Sequence, residues 1–138
     1  MKWFDDYKKL SEEEREYFKE YLCDDEQKII VLNYERFIAS LRYVEQDPVI
    51  LKKHLNNHLN AAEEVALSFN DEALYISHIL YDMKLIDNEV MKMIQQIEDV
   101  FEKIDEDKNW SIEYMINDNK WKSIRSLAHK ILFMLNEI

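Results

Sequence analysis

The stretch DNEVMKMIQQIEDVFEKIDED, residues 87–107, carries the clearest fold signal in the sequence. Its apolar side chains recur at steps of three and four residues, the spacing that places them on one face of an α-helix. These stripe residues are Val90, Ile94, Ile97, Phe101 and Ile104. Asp87 stands just before them, where a carboxylate accepts hydrogen bonds from the free N–H groups of a helix start. The stretch therefore predicts a long amphipathic helix with one buried face.

Segments on the N-terminal side repeat the same spacing. Ser11 and Glu14 form a capping-box pattern that begins a first helix over about 11–23. One of two neighbouring aspartates, Asp24 or Asp25, begins a second helix. The apolar stripe of this second helix is Ile30, Tyr34, Phe37, Leu41 and Val44.

The middle of the chain predicts two more helices with a polar break between them. The pair Asp47-Pro48 begins the first of them, because an N-cap acceptor is followed by a proline at the first helical position. The pair Asn70-Asp71 ends it, and a shorter helix follows. The stripes of the two helices are Leu51, Leu55, His58, Ala62, Val65 and Phe69, then Ala73, Ile76, Leu80 and Met83.

The last part of the chain predicts a short turn of helix around Ile112 to Met115 and one final helix. The stripe of the final helix is Trp121, Ile124, Ala128, Ile131, Leu135 and Ile138. In total, about six to seven helices with short polar connections predict an all-α, compact bundle of antiparallel-connected helices. The length of 138 residues predicts one domain over residues 1–138.

The composition disfavours several classes of site, because glycine is absent and Pro48 is the only proline. Phosphate-binding loops, dinucleotide-binding turns, nucleophile elbows and calcium loops need glycine where the backbone turns sharply or approaches a ligand. Tight β-hairpins lose their favoured turn residue as well. We therefore expect none of these sites in its usual form.

Three features of the sequence bear on cellular location: its cysteine content, its first residues and its apolar runs. Cys23 is the only cysteine, so the chain forms neither an internal disulfide nor a cysteine-based zinc site. Residues 1–6 reach acidic side chains before any apolar run, so we expect no signal peptide. The apolar runs are also too short to span a bilayer. Together these features predict a cytoplasmic protein.

The net charge of −11 is distributed unevenly. Residues 71–107 hold eleven acids and three lysines, whereas residues 27–70 hold five acids and five bases. Residues 1–26 also carry a net negative charge, and residues 108–138 a weak positive one. Direct binding to nucleic acid or to an anionic membrane is disfavoured, because both need clustered Lys and Arg.

Six carboxylates fall on one broad face of the helix predicted over residues 87–107, which we call the acidic face. Its members are Glu98, Asp99, Glu102, Asp105, Glu106 and Asp107. Like charges at these spacings repel and weaken a helix by a few tenths of a kcal/mol per pair. Such a face keeps a protein soluble, and it also suits a basic partner through steering and complementarity. The sequence leaves both interpretations open.

Histidines offer a weaker alternative. His54 and His58 are four residues apart, a spacing that can chelate a metal from one helical face. The zinc-protease and di-iron patterns are missing, however, so a half-buried histidine is the simpler interpretation. Further ligands from Glu63, His78 or His129 stay open. Arg125 and His129 resemble the arginine and histidine of helical metal-independent ribonucleases, but their separation is short for that pattern, which favours an exposed pair.

Aromatic residues are candidates for a binding surface, because they are enriched at interface hot spots. Trp3, Phe4 and Tyr7 are flanked by charged residues. We therefore predict that these three are the aromatics most exposed to solvent or covered by a partner.

The profile of a small, acidic, helical protein without a catalytic motif resembles that of many inhibitors of basic proteins. Bacterial toxin-immunity proteins and phage anti-defence proteins are of this type, and the resemblance implies a non-enzymatic inhibitor without cofactor or metal. It would block the basic substrate groove of a toxin, nuclease or nucleic-acid-binding effector. The predicted partner-binding residues are Asp82, Asp87, Glu89, Glu98, Asp99, Glu102, Asp105, Glu106 and Asp107.

Two other functions remain open from the sequence. The first is a regulatory or adaptor bundle that binds a partner through apolar helix faces or forms a homodimer. The second is a small helical enzyme that uses histidines, carboxylates and a metal.

Overall fold

A computed structural model describes residues 1–54, 60–107 and 110–138, and every regular element in these ranges is helical, which confirms the predicted all-α class. Two helices continue into wider, π-helical turns. In chain order the elements are α1 (Lys2–Lys8), α2 (Glu12–Tyr17) with the π-helical turn Phe18–Leu22, α3 (Asp25–Glu45), α4 (Pro48–His54), α5 (Ala61–Ser68) with the π-helical turn Phe69–Leu74, α6 (Tyr75–Asp82), α7 (Asn88–Asp107), α8 (Ile112–Asn117) and α9 (Asn119–Met134). In the described residues no helix combines the length and apolar character that crossing a membrane requires.

The chain divides into two compact units, Met1–Tyr34 and Glu35–Ile138. A single domain over residues 1–138 stays a prediction. The first unit contains α1, α2 and the start of α3, and α1 is a helix that the sequence analysis did not predict.

The first unit is built around aromatic rings. Phe4 and Tyr7 on α1 are 2% and 1% exposed, and the ring of Phe4 meets Tyr34 edge to face at 5.0 Å. Trp3 stacks on Phe18 at 6.1 Å. The prediction that Trp3, Phe4 and Tyr7 are exposed is therefore wrong for Phe4 and Tyr7, because α1 turns them onto one inward face. Trp3 is only partly exposed.

Most predicted helix starts are confirmed by side-chain caps. The hydroxyl of Ser11 accepts a hydrogen bond from the N–H of Glu14, whose carboxylate accepts one from the N–H of Ser11. Asp47 accepts from Val49 at the start of α4, and Asp87 accepts from Val90 at the start of α7. These bonds satisfy N–H groups that have no partner within the helix.

The predicted helix from Pro48 to Phe69 is wrong as one continuous element. Asn60 is extended and accepts a hydrogen bond from the N–H of Glu63, so it caps a new helix. Of the predicted stripe, Leu55 and His58 lie outside the described residues.

The predicted break at Asn70-Asp71 is also wrong. The chain stays helical there through the π-helical turn Phe69–Leu74, which holds one residue more than an α-helical turn. This wider turn keeps Phe69, Ala73 and Ile76 all buried. A polar pair therefore faces solvent in mid-helix without ending the helix.

Two helix ends need left-handed backbone, which glycine usually supplies. In this chain Lys84 and Asn136 take it, with φ of 62° and 59°. The N–H groups of Leu85 and Glu137 then return to the carbonyls of Leu80 and Leu132. The last helix therefore ends at Met134, and the predicted core position Ile138 is instead exposed.

Helices α7 and α9 provide much of the core of the second unit. The predicted stripe of α7 is buried throughout. On α9, Trp121, Ile124, Ala128 and Ile131 are fully buried, as predicted. The ring of Phe101 meets Trp121 edge to face at 5.4 Å. Because α7 buries this stripe, its opposite face with the carboxylates is left at the surface.

Candidate protein-binding surface

The nine predicted partner-binding acids all lie at least partly exposed, but they form two groups. Asp82, Asp87 and Glu89 lie around the connection from α6 to α7, and the six residues of the acidic face lie in the second half of α7. From Glu89 to Glu98, where the first group ends and the acidic face begins, the helix rises about 14 Å, at 1.5 Å per residue. The prediction therefore corresponds to two separate surfaces.

The acids near the start of α7 have structural roles. Asp87 caps the helix through its bond to Val90. Asp82 and Asp87 line a hollow with Lys84, and the hydroxyl of Tyr81 donates to Asn88 there. This hollow therefore holds a lysine beside its acids.

The acidic face contains one carboxylate with local partners. The ammonium of Lys120 lies 2.8 Å from Oδ2 of Asp107, and the hydroxyl of Tyr114 donates to the same oxygen at 3.5 Å. The hydrogen bond from Lys120 lowers the pKa of Asp107 below its usual value, and it raises the pKa of Lys120 in turn. Asp107 therefore helps to connect α7 with α9.

The other members of the acidic face differ from Asp107. Within residues 1–54, 60–107 and 110–138, no ion pair or side-chain hydrogen bond forms at Glu98, Asp99, Glu102, Asp105 or Glu106. All but Glu98 are exposed, and Glu98 is half-buried. Five carboxylates thus remain available to an external partner.

A groove runs beside these carboxylates, which we call the Trp110 groove. Its cavity volume is about 240 Å³. It is lined by Ala66, Phe69, Asn70, Leu74, Glu98, Phe101, Glu102, Asp105 and Trp110. Three members of the acidic face therefore form one wall, and side chains of α5 and its π-helical turn contribute to the rest.

Aromatic rings support the groove from below. The rings of Phe69 and Phe101 lie 5.3 Å apart. Trp110 is half-buried and meets the buried ring of Trp121 edge to face at 6.1 Å. Sequence reasoning missed this combination, because periodicity identifies the buried face of α7 but not which distant aromatic lies against its edge.

A second cleft, the His129 cleft, lies elsewhere in the second unit. Its volume is about 400 Å³, and it is lined by Glu45, Asp47, Pro48, Ile116, Arg125, Ser126 and His129. Nδ1 of His129 lies 2.8 Å from Oε2 of Glu45. These two residues are 84 positions apart, so the sequence offered no signal for their contact.

The predicted exposed pair Arg125 and His129 is only partly correct. His129 is exposed, but Arg125 is half-buried and donates to the carbonyl of Met115 at 2.7 Å. Burial lowers the pKa of Arg125. The guanidinium therefore holds α8 against α9, and its bond to the backbone leaves it less available to a ligand.

The metal hypothesis receives no support from the described residues, in which no three His, Cys, Asp or Glu side chains are placed to hold an ion. His58 and the side chain of His54 are not among the described parts of the chain, and His78 is exposed.

The single cysteine has a local partner. The thiol of Cys23 donates to the carbonyl of Lys19 at 3.2 Å.

Comparison with models of known protein families, with curated proteins and with solved structures found no match for this chain.

Proposed function

We propose that this chain is a stoichiometric protein inhibitor of the toxin-immunity or anti-defence type. It would bind the basic substrate groove of a cytoplasmic partner with the acidic face of α7, and it would act by exclusion and not by catalysis. The observation that carries the proposal is the row of five carboxylates from Glu98 to Glu106 that lack partners among the described residues.

The position of these carboxylates on the helix supports a binding role. The C-terminal end of a helix carries a partial negative charge, so acids there are unfavourable by about 0.3–1 kcal/mol each. Of these five, Asp105 and Glu106 occupy the last turn of α7, which contains no basic residue. Solubility needs acids somewhere on the surface, but it does not need them at the end where the helix dipole opposes them.

A basic partner would reverse this penalty. Lys and Arg side chains of the partner would compensate both the repulsion among the acids and the negative end of the helix. Charge complementarity of this kind increases the association rate and selects the partner, more strongly at low salt. A toxin, nuclease or other protein with a basic substrate groove fits this chemistry.

The test is affinity capture from a lysate of the native host, with elution in steps of salt. The bait is the wild-type chain, and the comparison is the charge-reversal variant Glu98→Lys, Glu102→Lys and Glu106→Lys. We expect wild type to retain one basic protein, released by moderate salt, whose activity the purified chain blocks at a one-to-one ratio. The reversal variant should fail to retain it.

A matched control separates the acidic face from net charge. Glu13→Lys, Glu20→Lys and Glu26→Lys change the charge by the same amount at exposed positions of the first unit. This control should bind like wild type. Equal loss in both variants, or none in either, would refute the acidic face as the binding surface.

A second candidate function, an adaptor bundle or homodimer, is favoured by an exposed apolar cluster on the first unit. Tyr17, Tyr21 and Leu22 are 57%, 66% and 62% exposed, and the two tyrosine rings lie 5.0 Å apart. Exposed apolar clusters mark interaction surfaces when they are large. The Tyr21→Ser and Leu22→Ser double variant should then abolish a salt-resistant complex or self-association, measured by sedimentation velocity.

A further inference from the structure

We infer that the Trp110 groove is a receptor for one arginine side chain of the partner protein, an inference that rests on the proposed inhibitor function. This contact would lie at the edge of the acidic face, beside Glu98, Glu102 and Asp105. The combination of an acidic wall, aromatic support and small size points to this occupant.

The size of the groove limits the ligand. Its cavity of about 240 Å³ is smaller than the roughly 300–1,000 Å³ of pockets that enclose drug-sized ligands. One long side chain that enters from a partner's surface is therefore a better match than a free organic molecule.

The charge of the wall selects a cation. Glu98, Glu102 and Asp105 line the groove, and no described side chain neutralises them. No lysine, arginine or histidine is among the lining residues. A cationic head group would therefore meet uncompensated carboxylates on entry.

The aromatic residues select arginine over lysine. A planar guanidinium stacks on aromatic rings and forms paired hydrogen bonds to carboxylates, whereas an ammonium acts as a compact, strongly hydrated charge. Trp110 supplies the partly exposed ring, and its edge-to-face contact with Trp121 holds it in place before binding. A receptor that is rigid beforehand loses less entropy on binding.

Nuclear magnetic resonance tests the inference without the partner. The ¹⁵N-labelled chain is titrated with N-acetyl-L-arginine methylamide, with the lysine analogue, and with the citrulline analogue, which is uncharged but has the same shape. We expect saturable shifts of the Trp110 indole N–H and of the α7 amides near Glu102, strongest with arginine and absent with citrulline. Equal shifts with citrulline, or shifts spread equally over the acids of α2, would overturn the inference.

Variants locate the site. Trp110→Ala should weaken arginine binding by about threefold to thirtyfold, the range expected for loss of a cation–π contact. Glu102→Gln should weaken it as well, and Trp110→Phe should restore most of the binding that Trp110→Ala loses. Phe133→Ala removes an exposed aromatic outside the groove and should bind like wild type. Loss of binding in Phe133→Ala, or full binding in Glu102→Gln and Trp110→Ala, would overturn the assignment.

The two proposals fail in different ways. If the captured partner is lost from the charge-reversal variant but binds Trp110→Ala with wild-type affinity, the arginine receptor is wrong and the inhibitor surface stands. If arginine binds the groove but the partner binds the charge-reversal variant normally, the proposed inhibitor surface is wrong.

Discussion

Helices α2 and α7 are both rich in acids, yet the acids lie at opposite ends of the two helices. In α2, Glu12, Glu13 and Glu14 occupy the first turn, where the helix dipole favours negative charge. In α7 they accumulate towards the last turn, where the dipole opposes it. The position of an acid, more than the number of acids, thus determines whether its charge stabilises or destabilises a helix.

The two helices are also anchored differently. Glu12–Tyr17 contains no buried residue and is held by the Ser11 capping box and by Arg15, whose guanidinium donates to the carbonyl of Lys8 and lies over the ring of Tyr7. Helix α7 instead buries a full apolar stripe. This stripe gives α7 enough stability to tolerate an unfavourable row of charges. A capped helix without a buried stripe has no such reserve.

The largest expected effect comes from the buried stripe. Ile97→Ala removes a fully buried side chain and should lower the free energy of unfolding by about 2–5 kcal/mol. Tyr17→Ala, at an exposed position of α2, should change it by about 1 kcal/mol or less, because it loses only the surface contact with the ring of Tyr21. Urea denaturation followed by circular dichroism measures both, and similar losses would remove the contrast in anchoring.

The next effect tests the cap of α2. Ser11→Ala removes the hydroxyl that accepts from Glu14 and should destabilise the helix by about 1 kcal/mol. Hydrogen exchange of the α2 amides should accelerate accordingly. Ser11→Asp, which keeps an acceptor, is the control and should exchange like wild type. Unchanged exchange in Ser11→Ala would show that the capping box does not hold α2.

A smaller effect tests the sign of the dipole argument. Asp105→Asn with Glu106→Gln should raise the free energy of unfolding by a few tenths of a kcal/mol per charge, because acids leave the negative end of α7. Glu12→Gln with Glu13→Gln should lower it by a similar amount. Thermal melting at low salt compares the pairs, and the same sign in both would contradict the comparison.

The smallest effect concerns Asp107, the member of the acidic face that pairs with Lys120. Because Lys120 lowers the pKa of Asp107, the contribution of the pair to stability is present above the unfolded-state pKa. It is lost as the pH falls through the lower, folded-state pKa. A carbon-13 titration should show the lowered pKa in wild type and a return towards the usual value in Lys120→Met. An unchanged titration in the variant would exclude the pair as the cause.

Periodicity and caps predicted the helices that bury one clear stripe, and they failed where tertiary packing decides. Val90 to Ile104 and Trp121 to Ile131 were assigned to the core correctly, because each helix faces that core along its length. Asn70-Asp71 has the composition of a loop, but the burial of Phe69 and Ala73 on both sides keeps it helical. The local composition around Asn70-Asp71 does not predict that burial.

The candidate site was predicted in part for the same reason. Helical spacing was sufficient to place Glu98 and Glu102 on one face of α7, where Glu102 is exposed and Glu98 is half-buried. Trp110 and Phe69 join them only through the packing of α5, α7 and the segment before α8. Packing between distant segments leaves no local pattern in a single sequence. Phe4 and Tyr7 show the opposite error, since flanking charges suggested exposure for rings that fill the first unit.

Binding through the acidic face is tested by the association rate constant with the captured partner, measured by stopped-flow fluorescence across a range of salt concentrations. For wild type we predict a rate constant that falls steeply as salt rises, because the acidic face steers a basic partner. The variant Glu98→Lys, Glu102→Lys and Glu106→Lys should associate more slowly, and its rate constant should fall less steeply with salt. If wild type and this variant show the same rate and the same salt dependence, the acidic face of α7 does not bind the partner.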